Sequence, residues 1–172
     1  MWDVIKSHMM LILFVIVIAN LPDIDYVPGV LTGDINAYHH GYTHTLGWVF
    51  VVSCGLWLCR RAWVDTAGWT LFALVLAVMT SHLLADIVTA DGSFPYGIMI
   101  FWPISDTYFI SPLTVFWKLM KEEWADVFQF YNLIAVAVEA VWGALIIGLV
   151  LAYKRMMPVG SKREPSASTL VD

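Results

Sequence analysis

Charged residues are scarce in this 172-residue chain. They make up 13% of the sequence, whereas hydrophobic residues make up 60%. A soluble domain of ordinary composition is about one quarter charged and about half apolar. Here the apolar residues also come in long runs. This composition indicates an integral membrane protein with one domain and no second core.

Basic tracts are missing as well, and cysteine is rare. No run of Lys and Arg interleaved with aromatic residues occurs, so we expect no nucleic-acid partner. The two cysteines, Cys54 and Cys59, lie five positions apart in one apolar run, and on a helix that spacing points them to different sides. We therefore expect no disulfide and interpret both as packing residues.

The long apolar runs are what the sequence does have. A helix needs about 20 mostly apolar residues to cross a bilayer, and four segments qualify: Trp2–Leu21, Thr45–Trp63, Ala67–Val88 and Phe130–Tyr153. A signal peptide is the alternative for the first, but no small-residue cleavage site follows it. Leu113–Phe128 has apolar residues at helical spacing and predicts an amphipathic helix in the membrane interface.

The distribution of basic residues predicts the orientation. With four crossings, only Lys118 and Lys121 fall on one side, whereas seven lie on the other: Lys6, Arg60, Arg61, Lys154, Arg155, Lys162 and Arg163. Positive residues favour the cytoplasmic side, so both termini are expected there. The sequence thus predicts an all-α membrane protein, with one polytopic domain over residues 1–157 and a disordered tail over residues 158–172.

Two short motifs place acids and a histidine at the ends of predicted spans. Pro22 breaks the first helix, and Asp23 and Asp25 follow it, close enough to turn towards one cation. A solvated helix exit is the alternative. His82 and Asp86 lie four positions apart on the third span, so both can bind one ion or each other.

Three histidines within six residues precede the second span. His39 and His44 are the stronger candidates for metal ligands, and His40 is the weaker one. Gly41 between them gives the backbone the freedom to bring imidazoles towards one point. Thr43 or Thr45 can cap the following helix. The charge topology places this histidine motif, the two aspartates after Pro22, and the His–Asp pair at one extracytoplasmic face.

Two further candidates depend on depth in the membrane. Glu139 is the acid in the interior of the fourth span, at about the depth of His82 by helical rise. It is a candidate ligand, base or partner of His82, with a protonated structural role as the alternative. His8 lies towards the opposite face and joins the site if the first helix is broken. The aromatic residues over 92–103 suit either interface anchoring or a wall for an amphiphilic substrate.

Taken in order, these motifs resemble the YdjM-like inner-membrane proteins. The residues that carry the resemblance are Pro22-Asp23-Ile24-Asp25, His39-x-Gly41-x-Thr43-His44, Ser81-His82-x3-Asp86-x2-Thr89 and Trp102-Pro103, with Ser7-His8 matching the family's N-terminal hydroxyl–His pair. The resemblance covers about residues 7 to 150. It implies a membrane-bound metal-dependent hydrolase, and it favours His8 and Glu139 as members of the site.

Two functions of different classes remain open on these grounds. The first is a hydrolase acting on a lipid or lipid-linked phosphoester, with Asp23, Asp25, His39, His44, His82, Asp86 and His8 as metal ligands and Glu139 or Asp25 as the catalytic base. Mixed imidazole and carboxylate ligands favour zinc, with manganese or iron as alternatives, as one or two ions. The second is a non-catalytic subunit of a larger membrane complex, whose partner subunits pack on the many tryptophans.

Overall fold

Five α-helices and three 3-10 turns make up the described part of the chain. The computed structural model describes residues 2–60, 68–92, 96–120 and 125–156, with backbone alone at residues 2–8, 127 and 154. The helices are α1 (Trp2–Ala19), α2 (Tyr26–Thr32), α3 (Leu46–Cys59), α4 (Gly68–Ile87) and α5 (Phe130–Met156), and the turns are Pro22–Asp25, Tyr42–His44 and Asp126–Phe128. Within these ranges the structure has no β-strand and only two isolated β-bridges, which confirms the all-α prediction.

Two helices, α4 and α5, are long and apolar enough to cross a membrane. A third candidate span combines Met9–Ala19 with Pro22–Thr32, which bend by 54° at the break between them. Helix α3 is apolar but has only 14 residues, fewer than the roughly 20 that a straight crossing needs. The structure therefore supports two spans, or three with the bent pair, where the sequence predicted four.

The break after α1 has a local cause. Pro22 lacks the N–H that would continue the helical ladder, and the Leu21 N–H bonds to the Ile18 carbonyl at 3.3 Å as the last turn tightens. A 3-10 turn follows over Pro22–Asp25 and leads directly into α2. Helix α2 then ends at Gly33, which takes the left-handed conformation with φ of 84°. The predicted helix-breaking role of Pro22 is confirmed.

The apolar core lies where α4 packs against α3 and, on another side, against α1. Its fully buried members at the α3–α4 contact are Val49, Val75, Met79 and Leu83. Ile18 of α1 and Ile98 from the segment after α4 complete it. The remaining surfaces of these helices are largely apolar and exposed, as suits helices surrounded by lipid.

The amphipathic helix predicted over Leu113–Phe128 is wrong for the described part of that range. The N–H groups of Val115 and Phe116 bond to the Val88 carbonyl, at 2.8 and 3.3 Å, instead of to residues four positions earlier. Ala90 N–H bonds to the Phe116 carbonyl at 3.0 Å. Tertiary pairing with the end of α4 thus overrides the helical spacing, and only Asp126–Phe128 makes a single 3-10 turn.

The chain divides into two compact units, Met1–Ala135 and Val136–Asp172. The second contains most of α5, whose described side chains are almost all exposed. The predicted tail over residues 158–172 lies outside the described residues. The single polytopic domain stays a prediction.

A tight approach at Gly29 holds the chain after α2 in place. A Cβ built on Gly29 would lie 2.6 Å from the carbonyl oxygens of Asp34 and Ile35. Both are backbone atoms, so a side chain cannot be accommodated by a rotamer change. This packing sets the start of the loop that carries His39 to His44.

We predict that Gly29→Ala lowers the free energy of unfolding by about 1–3 kcal/mol, because overpacking forces the backbone apart. The measurement is thermal or denaturant unfolding of the purified protein in detergent. The matched control is Gly55→Ala in α3, where an added Cβ meets nothing within 4 Å and the better helix propensity of Ala applies. Equal stability of the two variants would contradict the steric account.

Candidate metal centre

The first two acids sit on the 3-10 turn between α1 and α2. Pro22 is fully buried, and the 3-10 turn that it begins carries both Asp23 and Asp25. Asp25 is 8% exposed, and Asp23 is partly exposed. A solvated helix exit would leave both carboxylates in water. The burial of Asp25 therefore argues against that alternative.

The histidine motif folds over these acids. His44 ends the 3-10 turn Tyr42–His44 and is fully buried, with 0% exposure. Thr45 caps α3, because its Oγ1 accepts a hydrogen bond from the Trp48 N–H at 3.0 Å. Of the two threonines considered as helix caps, Thr43 and Thr45, it is Thr45 that caps α3. This cap fixes where α3 begins and so places His44 directly above the helix end.

The third contribution comes from the last turns of α4. His82 and Asp86 lie one helical turn apart, and the His82 Nε2 atom is 3.3 Å from the Asp86 Oδ2 atom. The helical spacing predicted this shared face. Both side chains point towards Asp23 and His44 rather than only towards each other.

Four possible ligand atoms lie near one another: Asp23 Oδ1, His44 Nε2, His82 Nε2 and Asp86 Oδ2. Asp23 Oδ1 lies 3.4 Å from His44 Nε2 and 3.6 Å from His82 Nε2. Asp86 Oδ2 lies 3.7 Å from His44 Nε2 and 3.3 Å from His82 Nε2. Four ligands around a zinc ion, at about 2.0–2.1 Å each, are separated by roughly 3.4 Å. The observed separations therefore fit a small divalent ion.

Three of these four atoms lack any other role. His44 Nε2, His82 Nε2 and Asp86 Oδ2 are buried, and none has a hydrogen-bond partner among the described residues. Buried polar atoms are normally bonded, and leaving one unsatisfied costs about 1–3 kcal/mol. A bound cation would satisfy all three at once. The His/Asp groups are thus able to hold a metal ion.

Asp25 orients the imidazole of His44. Its Oδ2 lies 3.0 Å from His44 Nδ1 and accepts a hydrogen bond from Thr43 Oγ1 at 2.9 Å. Its Oδ1 lies 3.2 Å from His39 Nδ1. When His44 Nδ1 donates to this carboxylate, the proton is held there and the Nε2 lone pair faces the four-atom cluster. Histidines that bind a metal through Nε2 commonly have this hydrogen bond from Nδ1 to a carboxylate.

The site carries an excess of negative charge. Burial by itself lowers the pKa of His44, but the adjoining carboxylates of Asp23, Asp25 and Asp86 outweigh it and raise the pKa to about 9. In the absence of a metal, the carboxylates thus favour a proton on this imidazole. A bound divalent cation would neutralise the same carboxylates with two positive charges instead of one.

A second group of donors overlaps the first. Asp23, Asp25, His39 and His44 offer ligand atoms that all lie within 4.8 Å of one another. His39 Nδ1 is 3.9 Å from Asp23 Oδ1. The predicted ligands at residues 23, 25, 39, 44, 82 and 86 are therefore brought together at one end of the helices.

Three further residues lie around this cluster: Thr43, His40, which was the weaker ligand candidate, and Asp91. Thr43, weighed from sequence only as a helix cap, donates to Asp25, and its place in the His-x-Gly-x-Thr-His motif was the available signal. His40 stacks on the His39 ring with centroids 4.0 Å apart, and its Nδ1 lies 3.6 Å from Asp91 Oδ2. Burial and the rings of His39 and His44 lower the pKa of His40 to about 4. Nothing in the sequence pointed to Asp91.

Two predicted members are not brought into the described cluster. The His8 side chain lies outside the described residues, so its role as a ligand stays a prediction. Glu139 lies on α5 in the second unit and is exposed within the structure. Its predicted role as a base or ligand also stays a prediction.

Comparisons with known proteins address the family. The pattern of the family described as "YdjM inner membrane protein" matches residues 3–159. Inner membrane protein YbcI of Escherichia coli (strain K12) is 32% identical over 109 residues, which cover 62% of this chain and 58% of that protein. The chain thus spans less than two thirds of this relative, and no solved structure matches. Since the family pattern covers most of the sequence, the chain belongs to the YdjM family of inner membrane proteins.

Proposed function

We propose that this membrane protein is a metal-dependent hydrolase that acts on a lipid or lipid-linked phosphoester at the extracytoplasmic face. The observation that carries the proposal is the convergence of Asp23, His44, His82 and Asp86, three of which have buried atoms with no other partner. A merely structural His–Asp network would pair these atoms in hydrogen bonds. Here the three atoms make no hydrogen bond with the described residues, although Asp86 Oδ2 lies 3.7 Å from His44 Nε2 and 3.3 Å from His82 Nε2.

The four converging residues would hold the ion, and Asp25 would keep His44 in the required tautomer. Two imidazoles and two carboxylates favour zinc, with manganese or iron as alternatives, over the all-oxygen shells that calcium and magnesium prefer. When bound, such an ion supplies Lewis acidity, which acidifies water and polarises a phosphoryl oxygen. Since both Asp25 oxygens already have partners, we favour a positioning role for Asp25 over its predicted role as a base.

A second ion is supported by the balance of charge. Asp23, Asp25 and Asp86 bring three negative charges, so one divalent ion with neutral histidines leaves a net charge that repels a phosphate. Two ions reverse the sign and favour an anionic substrate. The group formed by Asp23, Asp25, His39 and His44 would hold the second ion, which would replace the present contact between Asp25 Oδ1 and His39 Nδ1.

The distribution of basic residues supports an arrangement with both termini in the cytoplasm and the cluster outside. It requires that the short α3 crosses the membrane together with neighbouring residues. The carboxylates and imidazoles would then lie in the periplasmic half of the bilayer. A substrate held in the outer leaflet of the inner membrane could present its headgroup there.

The topology predicts the outcome of reporter fusions. Green fluorescent protein fused after Arg60, or after Asp172, should fluoresce, because both junctions are expected in the cytoplasm. Alkaline phosphatase fused after Asp106 should be active, because that junction is expected outside. Phosphatase activity after Arg60 would show that α3 does not cross.

The metal centre predicts bound transition metal in the purified protein. Elemental analysis should find about one to two ions per chain, and Asp86→Asn should reduce metal affinity at least 10- to 100-fold, because removing even a supporting partner has that effect. The matched control is Asp106→Asn, which alters an exposed acid outside the cluster and should leave the metal content unchanged. Absence of transition metal from the parent protein after reconstitution would contradict the proposal.

If the protein is a hydrolase, the purified protein should hydrolyse a phosphoester presented in detergent micelles or vesicles. Release of phosphate or headgroup should stop on chelation, return when zinc or manganese is added, and fall at least 100-fold in His44→Ala. Metal binding without turnover of any phosphoester, together with a stable complex with other membrane proteins, would favour the accessory-subunit alternative.

A further inference from the structure

A short apolar turn stands beside the metal centre. Ile98 and Phe109 pair through two backbone hydrogen bonds of 3.0 and 2.9 Å and close a loop between them. The tip of this loop, residues 101–104, has the sequence Phe-Trp-Pro-Ile. We call these four residues the apolar turn.

The two sides of the loop differ in burial. Ile98, Met99 and Ile100 are buried against the helices. In the apolar turn, Phe101 is 47% exposed and Ile104 is 93% exposed. No charged residue occurs between Asp91 and Asp106. The exposed face of the apolar turn, residues 101–104, is therefore uncharged and has no covering among the described residues.

Part of the backbone of the apolar turn is hydrogen-bonded within the loop. The Trp102 N–H bonds to the Met99 carbonyl at 3.1 Å, and the N–H groups of Ile104 and Ser105 bond to the Phe101 carbonyl at 2.9 and 3.2 Å. Pro103 has no N–H. Irregular backbone is excluded from lipid chiefly by unsatisfied polar groups. These hydrogen bonds lower the cost of leaving water at the Trp102 and Ile104 N–H groups, and the other backbone groups still require the hydrated headgroup region.

The turn is fixed to the two helix ends that carry the cluster. The Leu46 N–H at the start of α3 bonds to the Ile100 carbonyl at 2.9 Å, and the Ser111 N–H bonds to the Ile87 carbonyl at the end of α4 at 2.8 Å. A Cβ on Gly47 would lie 2.7 Å from the Trp102 carbonyl oxygen. The apolar turn thus continues the apolar surface of these helices at the level of His44 and Asp86.

We propose that the apolar turn inserts into the lipid leaflet next to the metal centre, at the boundary between headgroups and acyl chains. The occupant of its exposed face is the bilayer itself. The proposal follows from the continuity of this face with the apolar surface of the helices and from its lack of charge. Trp102 packs near Tyr42, with ring centroids 5.0 Å apart, and both rings suit the interface.

Insertion of the apolar turn also determines how a substrate reaches the metal centre. This consequence rests on the proposed hydrolase function. A turn embedded beside His44 holds the cluster at headgroup depth. An amphiphilic phosphoester can then reach it sideways from the leaflet, with its acyl chains remaining in lipid. A water-soluble phosphoester gains nothing from the turn.

The depth of the turn is testable without reference to activity. A nitroxide label is placed at Ile104→Cys in a Cys54→Ser/Cys59→Ser background, in nanodiscs of phosphatidylethanolamine and phosphatidylglycerol. Collision rates with oxygen and with a water-soluble nickel chelate are then compared. At residue 104 we expect oxygen to dominate, whereas at the matched control Asp106→Cys, two residues along the same exposed loop, the nickel chelate should dominate.

Two results would overturn the insertion. A label at residue 104 as accessible to nickel as the one at residue 106 would place the turn in water. A label shielded from both reagents would show that a second copy or a partner protein covers it.

The variant Ile104→Asp tests whether the substrate reaches the metal centre sideways from the leaflet. This variant should keep the parent metal content and lower turnover of a vesicle-borne phosphoester about 10-fold, while leaving turnover of a short-chain soluble phosphoester unchanged. Equal loss on both substrates would contradict sideways access. If the parent protein turned over neither substrate, the hydrolase proposal would fail, and the spin-label result would still decide the insertion.

Discussion

The carboxylates of Asp23, Asp25 and Asp86 lie within hydrogen-bond or ion-pair range of the same imidazoles, at the end of helices whose other surfaces are apolar. In such surroundings an acid is stable only beside a cation or a set of donors. The local structure supplies these partners from three directions. The turn after α1 provides two acids, the loop before α3 provides His39, Thr43 and His44, and α4 provides His82. These contacts link the turn after α1 and the loop before α3 to the end of α4.

Much of this centre could be read from the sequence. The shared face of His82 and Asp86 follows from helical spacing alone, and the break at Pro22 follows from the missing N–H. The helix-capping role of Thr45 was one of two local possibilities. The gathering of these residues at one end of the helices followed from the order of apolar runs. In each case the information lies within a few residues of the side chain concerned.

The rest depended on contacts between distant parts of the chain. The apolar spacing over Leu113–Phe128 is real, but the backbone there bonds to Val88, a partner that no local pattern reveals. The three contacts to Asp25 likewise come from residues 14 to 19 positions away. Spacing showed that Asp25 could reach a cation, but it could not show that its oxygens were already engaged.

The four converging donors lie between residues 23 and 86, ahead of the long loop and α5. During synthesis, the chain therefore presents a complete set of ligand atoms as soon as α4 has entered the membrane. An ion bound at that stage would tie α1, α3 and α4 to one another before α5 is made, because metal binding and folding are coupled. The order of residues along the chain would then make metal capture an early step in assembly, and the later segments would be added around a centre that already exists.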